Sequence, residues 1–90
     1  MDKAEARQII DAELARYRAM AYEQLAELVD KEPVTKQIVG PSGAGYEIEI
    51  MFFWDDQAGG DVRVIGAIDD GGLRAYHPLT SGFHKGRSEV

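Results

Sequence analysis

The sequence predicts an α+β domain in which an N-terminal helical segment covers one face of a four-stranded antiparallel β-meander. Three observations carry this. The stretch Tyr46–Asp55 alternates strictly, with Tyr46, Ile48, Ile50, Phe52 and Trp54 on one face and Glu47, Glu49, Met51, Phe53 and Asp55 on the other, the mark of a half-buried strand. Residues 3–31 contain neither Gly nor Pro and are dominated by good helix formers. From residue 34 onward, apolar alternations are separated by clusters of Gly, Pro, Asp and Ser, the punctuation of hairpins.

At the N-terminus, Asp2 and Glu5 have capping-box spacing: Asp2 accepts from the Glu5 backbone N–H while the Glu5 side chain reaches back. Ile10, Leu14, Tyr17, Ala21, Leu25 and Leu28 then recur at steps of three and four, widened by Ile9, Met20 and Val29. Such a stripe must bury itself, and the apolar strand face is its partner. Residues 17–22 fit a helix least well, so one bent helix and two helices meeting near Ala21 are both open. Pro33 ends the helical region by pushing Glu32 out of it.

Val34–Val39 forms a short first strand, and the turn-rich residues 40–45 lead into the central one. Residues 57–60 close the next hairpin, and residues 61–69 form the third strand. Setting Trp54 opposite Val62 places Phe52 on Val64, Ile50 on Gly66 and Ile48 on Ile68, a register that a one-residue slip would undo. Asp70-Gly71 marks a tight hairpin, and a fourth strand is expected at 73–77, pairing Leu73 with Ile68, Ala75 with Gly66 and Tyr76 with Ile65. Residues 1–79 then make a single domain, and residues 80–90, which show no period, form a loose tail in which only Phe83 docks.

The totals bound the function. Ninety residues allow one domain with a thin core. No cysteine is present, so disulfides and thiolate metal sites are excluded. The net charge of −6 argues against nucleic acid. No run nears the ~18 apolar residues of a membrane span, and residues 1–5 lack an apolar signal core, so no membrane association and a cytoplasmic location are expected.

No motif carries chemistry. The glycine-rich loop 40–45 lacks the Lys and the following helix of a phosphate loop. Asp55, Asp56 and Asp61 stand at one end of a strand and Asp69 and Asp70 at the other, so turn chemistry explains them better than Ca²⁺ or Mg²⁺ does. His77, expected to face the helix, and His84 are the only histidines. Ser42, Ser81 and Ser88 sit in no nucleophile elbow. No catalytic, cofactor or metal residue is expected.

The outer sheet face is more informative. It presents Glu47, Glu49, Met51, Phe53, Arg63, Ile65, Ala67, Arg74 and Tyr76, where a solvated face should be mostly polar. Either long charged side chains cover its apolar band, or the band is an association surface with a charged rim. The candidate interface is therefore Met51, Phe53, Arg63, Ile65, Arg74 and Tyr76, for a protein partner or a second copy of the chain. Two other functions are open: a small-molecule pocket lined by Tyr17, Tyr22, Trp54 and His77, and an acidic inhibitor or immunity-type protein that caps a basic partner.

Several segments resemble a small uncharacterised bacterial α+β family: Pro33-Val34-Thr35 running to Gly40-Pro41-Ser42-Gly43, Glu47–Ile50 with Phe53–Asp56, Arg63–Gly72, and Pro78-Leu79-Thr80. They cover roughly half the chain. The resemblance implies a helix followed by a meander and no known activity, so no functional residue is carried over. Residues 82–87 depart from the family's pattern.

Overall fold

The computed structural model describes residues 1–71 and 78–87. Among these, helices α1 (Lys3–Arg18) and α2 (Tyr22–Leu28) precede strands β1 (Val34–Val39), β2 (Gly45–Trp54), β3 (Val62–Asp69) and β4 (Leu79–Lys85). The four strands form one antiparallel sheet in sequential order. Helix α1 packs over β3 and β4, and α2 against β3. The fold is thus the α+β helix-on-meander arrangement the sequence predicts.

Asp2 starts α1 as expected, accepting the Glu5 N–H at 3.0 Å. The reciprocal half of the box does not form, because the Glu5 carboxylate is taken by the β1–β2 loop. Ala6, Ile10 and Leu14, spaced by four, are fully buried. Against them lie Ile48, Ile50, Val62, Val64 and Ile68. Gly66 lies under the helix because a Cβ there would sit 2.8 Å from Ile10 Cδ1.

The helical region is broken near residue 21. Met20 N–H closes a tight turn onto Tyr17 O, and Ala21 is extended at ψ 153°. The carbonyls this frees at the end of α1 find a donor from the far end of the chain: Lys85 Nζ donates to Arg18 O and Met20 O, each at 2.6 Å. Ala21 has no side-chain oxygen to cap α2, and its own N–H is taken by Gln24 Oε1 at 3.0 Å. Tyr22 then reaches across to the β2–β3 loop, donating toward Gly59 O and Gly60 O at 3.0 and 2.6 Å.

The register of β2 on β3 is the expected one, from Trp54↔Val62 to Ile48↔Ile68. The partner on the other edge of β3 is a correction. Residues 79–85, all but the first of them expected in the loose tail 80–90, form β4, with Leu79 opposite Ile68, Ser81 opposite Gly66 and Gly82 opposite Ile65. The strand expected at 73–77 lies outside the described residues. The strand is hidden in the sequence because two of its inward positions are polar. Ser81 Oγ donates to Asp11 Oδ1 at 2.9 Å, and Lys85 caps α1, so the 79/81/83/85 face shows no apolar period.

Candidate functional site

The sheet has one face under the helices and one without them. By register, the outer face is a grid of short rows. Phe53, Arg63 and His84 make one row, Met51, Ile65 and Gly82 the next. Thr35, Glu49, Ala67 and Thr80 make a third, and Gln37, Glu47 and Asp69 a fourth.

The first two rows hold the expected band. Phe53 is 46% exposed, an unusual setting for a large aromatic ring, and Met51 and Ile65 beside it are half-buried. The Arg63 guanidinium pairs with Asp55 at the hairpin end of the face, with Nε to Oδ1 at 2.7 Å. Of the two arginines the sequence sets on this face, Arg63 is therefore committed to a carboxylate. The other, Arg74, lies with Tyr76 outside the described residues.

Gly82 and His84 belong to this face although the sequence placed them in a tail. Gly82 stands beside Ile65, where Tyr76 was expected, and carries no side chain to cover it. A shallow groove of about 340 Å³ opens there, lined by Arg63, Ile65, Thr80, Gly82 and His84. The alternation of Leu79 and Phe83 was the only signal in the sequence that could have placed them.

Carboxylates bracket the band. On one side lie Glu47, Glu49 and Asp69, and among the described residues the Glu47 and Glu49 carboxylates have no hydrogen-bond or ion-pair partner. Asp69 accepts the Gly71 N–H at 2.8 Å, ordinary turn chemistry. On the other side lie Asp55, Asp56 and Asp61 around the hairpin loop. Among the described residues no three His, Asp or Glu side chains converge as a metal site would require.

The glycine-rich loop binds an anion, but the anion is the chain's own. Ser42 donates its N–H to Glu5 Oε2 at 3.0 Å and its hydroxyl to Oε1 at 2.7 Å, and the Tyr46 hydroxyl donates to the same Oε1 at 2.6 Å. Gly40 is needed beside this clamp, since a Cβ would come within 2.8 Å of Glu5 Oε1 and 3.0 Å of Tyr46. The Tyr46 and Ser42 hydroxyls hold the Glu5 carboxyl below its usual pKa. The same bond to Glu5, with burial, pushes the Tyr46 phenol up to about 12.

The space between helix and sheet is occupied by side chains. Tyr17 meets Phe52 edge to face at 5.5 Å, and Tyr22 spends its hydroxyl on the loop. Trp54 is half-buried against the core, and His77 lies outside the described residues. Every described buried side-chain N or O atom has a partner. Ser42 and Ser81 are hydrogen-bonded structurally, and Ser88 lies outside the described residues. No described helix is long and apolar enough to cross a membrane.

Comparison with known proteins adds nothing to this geometry: no protein-family model, no curated protein and no solved structure matches the chain.

Proposed function

We propose that this protein is a non-enzymatic interaction module that docks a protein partner on the outer face of its sheet. One observation carries the reading: Phe53 stands 46% exposed beside Met51 and Ile65, and Arg63, opposite it on β3, already has its charge paired with Asp55. An apolar centre with a charged rim is how association surfaces are built, and an aromatic residue at the centre is the usual anchor. The alternative of a ligand pocket between helix and sheet has less support, because Tyr17 and Tyr22 already fill or bridge that space.

Site-specific photocrosslinking in the native host tests the proposal. A benzophenone amino acid replaces Phe53 in one chain and the exposed α2 residue Gln24 in another, with circular dichroism to confirm that both fold. A discrete protein adduct from position 53 alone is the expected result. No adduct from position 53, or the same adducts from both positions, overturns the proposal.

A further inference from the structure

The outer face also has a charge pattern that selects among occupants. Its apolar centre, Met51, Phe53 and Ile65, lies between two acidic ends along the strand direction. Glu47 and Glu49 lie toward the start of β2, and Asp56 and Asp61 lie around the hairpin beyond its end. None of these four carboxylates has a side-chain partner among the described residues, and Arg63, the one described cation of the face, is already paired with Asp55.

This pattern disfavours a second copy. Stacking two such faces on their apolar centres requires a two-fold axis lying in the interface. If the axis runs along the strands, each acidic end meets its own copy. If it runs across them, Glu47 and Glu49 meet the partner's hairpin carboxylates. Either way like charges are brought together as water is excluded, which costs affinity rather than adding to it.

From this we infer that the occupant is a basic amphipathic helix of a different protein, with apolar residues in its middle turns and Lys or Arg toward both ends. The inference rests on the docking reading above and adds the partner's chemistry. Lengths agree. From Glu47 to Asp55 the strand runs eight steps, about 26 Å at ~3.3 Å per residue, and a helix of about 18 residues covers the same distance. A helix laid along β2 and β3 places its central apolar side chains against Phe53 and in the groove beside Gly82. Its terminal cations then reach Glu47 and Glu49 at one end and Asp56 and Asp61 at the other. The chain's net charge of −6 speeds the approach of such a partner.

The probe is a synthetic 18-residue helix with leucines in its middle turns and lysines in its first and last, compared with the same peptide carrying glutamates for lysines. Binding is read by the fluorescence of Trp54, the chain's only tryptophan, and by amide shifts across β2 and β3. The expected result is at least about tenfold preference for the lysine peptide, weakening as salt rises. Glu47→Gln with Glu49→Gln should cost roughly five- to tenfold, whereas Glu23→Gln with Glu27→Gln, an equal charge change on the exposed face of α2, should cost less than about twofold. Equal binding of the two peptides, or equal losses from the two pairs of substitutions, overturns the inference. A dimer of the chain alone in sedimentation equilibrium, dissociated by Phe53→Glu, overturns it too by assigning the face to a second copy. Crosslinking separates the two levels. A foreign adduct at position 53 that persists with Glu47→Gln and Glu49→Gln removes only the basic helix, and no adduct at all removes the docking face itself.

Discussion

Glu5 illustrates how a residue's role is set by what reaches it. By spacing it belongs to a capping box, and a carboxylate near a helix start is favourable in any case. In the folded chain a loop hydroxyl, a loop N–H and a phenol converge on it, a stronger set of partners than one backbone N–H at the helix end. Two pH limbs follow. Folding holds the Glu5 pKa below its ordinary 4.5, so its stabilisation is complete above 4.5 and is lost as pH falls through the folded value. Folding raises the Tyr46 pKa from 10.0 to about 12, so that contribution is complete below 10.0 and is lost as pH rises toward 12. Denaturant melts across pH should show both limbs. Glu5→Gln should flatten the acid limb, and Tyr46→Phe should remove the alkaline one while moving the Glu5 titration upward. An NMR titration placing the Glu5 carboxyl at or above 4.5 would contradict the clamp.

At the scale of elements, β4 ties the two layers together. Its Lys85 closes the end of α1, its Ser81 bonds Asp11, its Phe83 packs on the core under the Arg18 guanidinium at 4.6 Å, and its Thr80 carbonyl accepts from Arg7 at 3.4 Å. Lys85→Met keeps the aliphatic stem but strands two carbonyls at the helix end, and should cost about 1–2 kcal/mol in chemical denaturation. Hydrogen exchange should then accelerate around residues 19–22 before it does elsewhere. Ending the chain after residue 78 removes β4 altogether, uncovers one edge of β3 and opens the α1 packing. The truncated chain should fail to give a cooperative unfolding transition and should aggregate. A truncated protein with the melting curve of the full chain would restore the reading of these residues as a loose tail.

At the scale of the whole molecule, stability is graded across the sheet. Strands β2 and β3 are paired on both sides and carry the fully buried Ile48, Ile50, Val62, Val64 and Ile68. Strand β1 is half-buried on alternate residues, with Val39 73% exposed. Native-state hydrogen exchange should find the slowest amides at the centres of β2 and β3, opening only with global unfolding, and faster exchange in β1. The same grading explains what was legible beforehand. The alternation of Tyr46–Trp54, matched by Val62, Val64 and Ile68 on β3, set the central pairing to the residue, since a one-residue slip would turn Ile48, Ile50 and Ile68 to the outer face. The four-spaced Ala6, Ile10 and Leu14 fixed the buried helix face. The exposed position of Phe53 followed from parity alone. Beyond these, tertiary contacts decided. Local propensity left the helix break near Ala21 open, and a lysine more than sixty residues away supplies its donors. Inward-facing Ser81 and Lys85 hid β4, because a polar residue satisfied by a distant partner looks like a surface residue until that partner is in place. Glu5 left its capping box for the same reason. Periodicity alone dictates which apolar residues are buried together, because the hydrophobic effect is non-directional; the polar partnerships wait on folding, because a hydrogen bond needs two groups that the chain brings together only when folded.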